Sequence, residues 1–270
     1  SGISFPFSTI KNEIRLFTEG IHAINTNLNA KSFHIHNITN NGVFFVKNSS
    51  ISQNLTIDHL LVEHAKTAVK DEISGGGSHR LTAIASYPVP ASSLKYFDVD
   101  KGYDISINKS TLNGNIKQND IFTNGGTINF GIKCDLTSSS SNILNATWNK
   151  IHVNGGSEKT FGIALTSDVD AMQNGLVEHN LITNTVSNNG PGIFVNNWKT
   201  SKVLNNDIYL SSFKHGIEFS FAGGSIIKCN NIYNGSNGMN FSSSIENMIL
   251  SNYCFGNKHS LNFNGNCKGT

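Results

Sequence analysis

The feature that most constrains this chain is a short unit repeated along its second half. Phe161-Gly162-Ile163-Ala164-Leu165, Pro191-Gly192-Ile193-Phe194-Val195, His215-Gly216-Ile217-Glu218-Phe219 and Asn237-Gly238-Met239-Asn240-Phe241 share a Gly-apolar-x-apolar pattern, 22 to 30 residues apart. Between them runs an Asn-x-Ile unit, in Asn149-Lys150-Ile151, Asn206-Asp207-Ile208 and Asn230-Asn231-Ile232. A period of that size requires stacked supersecondary units, each too small to bury its apolar face alone. Within each copy the apolar residues alternate, as in Ile163/Leu165, Ile217/Phe219 and Leu261/Phe263, which is the period of a strand with one buried face. Gly, Asn and Ser punctuate every few residues, so each repeat holds two or three short strands and tight turns. The expected architecture is an all-β coil of parallel strands.

Asparagine supports the same coil. Of 270 residues, 39 are Asn, and a subset keeps one place in the repeat: Asn37, Asn149, Asn206, Asn230 and Asn252, with His59 and His179 at the equivalent spot. Asn tolerates the left-handed backbone of a sharp turn, and its amide can bond to the same amide one coil above and below.

These repeats, clearest from Leu176 to Asn266, resemble the Asn-rich right-handed parallel β-helices of the pectate-lyase-like family, most of all phage tailspikes and related polysaccharide depolymerases. The resemblance covers about Phe33 to Asn266 and implies a right-handed parallel β-helix of about nine rungs, with the asparagine ladder of that fold. It further implies a polysaccharide partner bound on the flank of the coil, an extracellular or virion-tail location and a homotrimer. Fold alone does not carry function, since one such fold hosts lyases, hydrolases, epimerases and adhesins.

Residues 1–270 are expected to form a single elongated domain. About nine rungs spaced about 4.8 Å apart span about 40 Å, and a hydrophobic share of 37 % suffices for one continuous axial core. A net charge of +2 favours neither nucleic acid nor a strongly polyanionic partner. No stretch approaches the ~18 apolar residues of a membrane span. Residues 1–32 read as an N-terminal cap or lead-in, with Ile10, Ile14 and Phe17 at helix-like spacing. Residues 74–102 read as a loop insertion, bounded by Gly75-Gly76-Gly77 and carrying His79, Arg80, Tyr87, Lys95, Tyr96 and Asp98. Cys229 and Cys254 lie one repeat apart and are expected either to stack as buried thiols or, with Cys267, to leave a Cys254–Cys267 disulfide. Thr137 to Asn142, nearly all Ser, reads as a bridge between rungs.

Signatures of nucleotide binding, zinc proteolysis and the α/β-hydrolase nucleophile are absent. The polygalacturonase pattern is also missing; Lys214-His215-Gly216 is its nearest approach. What remains is the face of the coil. If Ile163, Ile193, Ile217 and Met239 point inward, their neighbours point outward. Lys133, Asp135, Asp168, Phe194, Asn196, Trp198, Glu218 and Asn240 then share one polar, aromatic-studded surface. Sugars offer apolar ring faces to Trp198 and Phe194 and hydroxyls to Asn196, Asn240, Lys133 and, from the loop, Arg80. Asp168 and Asp170 lie about 7 Å apart on one side of an extended strand. Asp135 sits about one rung from Asp168, and both spacings suit an inverting glycoside hydrolase. Glu218 is a further acid on this face. A uronate lyase or epimerase, working through Lys133, Lys214, His215 or Arg80 and possible calcium, and a non-catalytic adhesin or binding rod stay open beside it. For the hydrolase no metal or other cofactor is expected.

Overall fold

The computed structural model describes residues 12–84, 94–125, 127–137, 141–155, 158–168, 173–184, 190–211 and 215–267. Among them there is no helix. Twenty-five strands, all pairing parallel, wind into a β-helix of three stacked sheets. One sheet carries the Gly-apolar copies. Its column Ile21, Val43, Val69, Tyr103, Ile132, Ile163, Ile193, Ile217, Met239, Leu261 is in register from coil to coil and ten deep, one more than expected. A middle sheet stacks Ala30, Ile57, Ala83, Ile116, Ala146, Val177, Val203, Ile227 and Ile249. The third carries the Asn-x-Ile copies, with Ile121, Ile151, Ile182, Ile208 and Ile232 in line. Side chains alternate across the strands, so these columns turn inward and build one core, open at the terminal coil, where Leu261 is exposed.

The two sequence units are two halves of one contact. A Cβ on Gly162 would lie 2.5 Å from Ile182 Cγ2 of its own coil, and one on Gly192 would lie 2.5 Å from Ile208 Cγ2. Gly131 and Gly216 are pressed in the same way by Ile151 and Ile232. Glycine is needed because the isoleucine of the third sheet rests directly on its backbone.

The asparagine ladder stands at the corner between the middle and third sheets, and it runs Asn119, Asn149, Asn180, Asn206, Asn230, Asn252. Each Oδ1 accepts the backbone N–H of the Asn one coil earlier at 3.0 Å and its Nδ2–H at 2.8–3.0 Å. The remaining Nδ2–H reaches back to a carbonyl of the preceding coil: Ile116 for Asn149, Ala146 for Asn180, Val177 for Asn206. Every polar atom of a fully buried amide is thereby satisfied.

This corrects the expected register. Asn119 and Asn180 belong to the ladder; Asn37, His59 and His179 do not. The left-handed turn residue is the one before each ladder Asn: Gln118, Trp148, His179, Asn205, Cys229 and Ser251, all with φ between 50° and 60°. The ladder Asn is chosen for its amide, not for its backbone.

Three further expectations change. Ile14 lies in the strand Asn12–Arg15, which pairs with Phe33–His36, and Glu19–Ile24 pairs with Asn41–Val46, so the described part of the lead-in is already coiled and Phe17 is an exposed bend. The supposed insertion contains the strands Ser78–Ile84 and Leu94–Asn108, both in register; residues 85–93, with Tyr87, lie outside the described residues. The cysteines are free. Cys254 pairs in register with Ile232 and not with Cys229, which sits in the ladder corner, and Cys254 and Cys267 carry no disulfide.

The first coils also enclose charge. Asp71 and His79 are wholly buried and paired at 2.9 Å, with the Phe45 ring tilted against the imidazole at 5.1 Å. Buried Lys47 donates to the carbonyls of Ser49, Ser74 and Gly76, and burial pulls its ammonium below the usual lysine range. The Lys47 ammonium thereby holds the Gly75–Gly77 turn between the glycine-bearing and middle sheets, where φ is 83°, 84° and 67°.

Asn206→Leu orphans the Asn180 amide and the Val177 carbonyl in a buried corner, so denaturant unfolding should show a loss of at least about 1–3 kcal/mol. Asn113→Leu, on an exposed strand position, should cost less than half of that; equal losses would contradict the ladder assignment. Cys134 is buried, and that burial above all pushes its thiol well above the ordinary range. It should stay unreacted with a thiol-specific disulfide reagent until the protein is unfolded.

Candidate functional site

The outer face of the glycine-bearing sheet is built by the alternation that builds the core. In its first outward column Lys133 stacks below Ala164, Phe194, Glu218 and Asn240; in the second, Asp135 stacks below Thr166 and Asn196. Six of the residues singled out from the sequence therefore do share a face. Phe194 stacks on Phe161, ring centroids 5.5 Å apart, and Asn240 is almost buried, accepting from Asn262 and Asn264 at 2.7 and 3.1 Å. Asn240 is thus committed within the sheet.

Asp168 follows the strand Lys159–Ser167, and its N–H donates to Leu136 O at 2.9 Å, so the register continues and Asp168 stands beside Thr137. One coil and two residues separate it from Asp135, which places their Cα atoms about 8 Å apart by strand geometry. Asp135 accepts from the Thr166 hydroxyl and is ion-paired with Lys133. Asp170 lies outside the described residues. Glu218 stands two coils beyond Asp168, with His215 Nε2 at 4.0 Å, too far to work on the same bond as Asp135.

Two expected contacts fall elsewhere. Trp198 is wholly buried. The strand ends at Asn196, and Asn197 at φ 52° turns the chain, so alternation no longer applies and the indole swings into the core beside Gly175. Arg80 is exposed on the middle sheet, between Asn54 and Asn113, not on this face. The exposed tryptophan is Trp148, stacked on His179 with centroids 4.1 Å apart at the ladder corner.

Sequence reading missed the groove. A cleft of about 260 Å³ is lined by Val46, Glu72, Ser74, Ser106, Asn108 and Thr137, together with Ile73 and Ile107. Ser106 and Glu72 are the members of the Asp135 column one and two coils down, and Asn108 lies under Thr137 in the Asp168 column. The groove ends at Thr137, which is two residues from Asp135 along its strand and beside Asp168 of the next coil. Gly102-Tyr103-Asp104-Ile105 is a copy of the repeat unit that could have shown this; Ala68-Val69, with alanine for glycine, hides the copy below it.

Three ion pairs climb the same face: Lys70–Glu72 at 2.5 Å, Lys101–Asp104 at 3.3 Å and Lys133–Asp135. Lys70 lies over the Phe44 ring at 5.0 Å, and Lys101 and Lys133 over Phe130 at 5.2 and 5.7 Å. Glu72, Asp104 and Asp135 thus each have a lysine, and these three pairs are charge-balanced. Such a face offers fixed acceptors and donors to hydroxyls, with Phe161 and Phe194 as an apolar step.

No family model, curated protein or solved structure matches this chain. The site is therefore read from its chemistry. No helix among the described residues is long and apolar enough to cross a membrane.

The two tryptophans give a direct check. The Trp148→Phe protein, left with Trp198, should emit at shorter wavelength and resist acrylamide quenching, whereas Trp198→Phe should leave a readily quenched indole. The reverse pattern would return Trp198 to the surface.

Proposed function

We propose that this β-helix binds an extended polysaccharide along the outer face of its glycine-bearing sheet and hydrolyses it at the Asp135–Asp168 step. The observation that carries this reading is the groove, a cleft lined largely by hydroxyls and an amide whose last member, Thr137, stands next to both Asp135 and Asp168 on the outer face. Their Cα separation of about 8 Å is compatible with the ~6.5–9.5 Å between carboxyl groups that leaves room for a water in an inverting mechanism. Asp135, steadied by Lys133 and Thr166, serves as the base toward that water; Asp168, at the open rim, donates to the leaving oxygen. Glu72, Ser106, Asn108 and Thr137 bind the sugars that precede the scissile bond, and Phe161 and Phe194 take the ring faces beyond it.

The pairing of the lysines on this face favours hydrolysis over uronate lysis. A lyase needs cations free to neutralise the substrate carboxylate, and here Lys70, Lys101 and Lys133 are engaged by the protein's own acids. The resemblance to tailspike depolymerases supports a bacterial surface glycan and an extracellular setting.

The test is incubation with a panel of bacterial surface polysaccharides, read for new reducing ends and for unsaturated-uronate absorbance. Reducing ends alone are expected. Asp135→Asn and Asp168→Asn should each lower turnover by about two to four orders of magnitude while glycan binding persists. Unsaturated products would make the chain a lyase, and binding without any cleavage would make it an adhesin.

A further inference from the structure

On the third sheet, near the first coils, four ligating side chains gather that the proposed glycan site does not use. His34 and His36 are two residues apart on the strand Leu28–His36 and point the same way. Glu13 lies beside His34 from the coil below, and Glu63 beside His36 from the coil above. The side chains lean across to diagonal partners. His34 Nε2 meets Glu63 Oε2 at 2.7 Å, His36 Nε2 meets Glu13 Oε1 at 2.7 Å, and the two imidazole rings are 4.6 Å apart. The hydrogen bond from His36 chiefly holds the Glu13 carboxyl below its ordinary range.

Two parallel imidazole–carboxylate pairs this close form an N₂O₂ donor set of the kind borderline metals prefer. We propose that His34, His36, Glu13 and Glu63 bind one divalent transition-metal ion, such as zinc, which staples three successive coils at the N-terminal end of the helix. No three of these donors already meet at one point. The backbone frame is nevertheless in place, and closure takes only side-chain rotation. Tetrahedral bonds of about 2.05 Å open each N···O pair from its hydrogen-bond distance to about 3.3 Å. The Nε2 proton moves to Nδ1, where the Asn37 amide, now 3.0 Å from His36 Nδ1, accepts it after a flip. Arg15, beside His36 in the register, is exposed and free to turn away from the incoming cation.

This site is independent of the glycan reading. The experiment is titration of the metal-free chain with zinc chloride, followed by calorimetry and thermal unfolding at about pH 7.5 and about pH 5.5. Expected are one zinc per chain, a melting temperature raised by several degrees, and loss of both at the lower pH, where protons displace the metal from imidazole. The His34→Gln/His36→Gln protein should lose the effect, and Glu63→Gln should weaken binding about tenfold or more. His22→Gln, an exposed histidine of the glycine-bearing sheet, should leave it unchanged. No uptake by the wild-type chain, or uptake surviving in the double variant, overturns the proposal; should the double variant fail to fold, Glu63→Gln at wild-type affinity does so.

Discussion

The structure depends on a chain of buried amide hydrogen bonds. Within the sheets, each coil holds the next through regular backbone pairing, but at a sharp corner that pairing stops and buried N–H and C=O groups need other partners. Asn119 to Asn252 supply them, one amide per coil, each satisfying the backbone of the coil before it. The corner can then be tight, and tight corners keep the sheets flat enough to stack without drift.

Constant register has a chemical consequence. When every coil repeats the same turn, residues far apart in sequence fall into straight outward columns about 4.8 Å apart. Glu72, Ser106 and Asp135 make one such column, and Asn108, Thr137 and Asp168 make its neighbour. The groove and its carboxylates are therefore products of the coil-to-coil strand register, which already holds at Glu72, below the first ladder residue. The Lys70–Glu72 and Lys133–Asp135 pairs follow the same logic, because residues two apart on a strand share its outward side.

The N-terminal coils follow different rules. The ladder has Leu60 and Phe33 where later coils have Asn, and the interior there carries the ionisable side chains Lys47, Asp71 and His79. The outer face there gathers the His34–Glu63 and His36–Glu13 pairs. Ionic contacts across coils thus concentrate where amide contacts at the corner are missing, and this is the end that a metal staple would reinforce.

The fold was legible because a periodic coil writes itself into sequence. The Gly-apolar copies and the Asn-x-Ile copies are two sides of one steric contact, so their alternation alone specified parallel rungs, and the outward places of Lys133, Asp135 and Phe194 followed from strand parity. Parity fails wherever a strand ends. Trp198 lies two residues past its strand, and only the left-handed turn at Asn197 decided that it is core. Asn37 and His179 matched the spacing of the ladder, but the choice among neighbouring corner residues rests on which amide reaches the next coil. Glu72, Ser106 and Asn108 carried no local signal, since a groove is a relation between coils some thirty residues apart, which only the tertiary stacking creates.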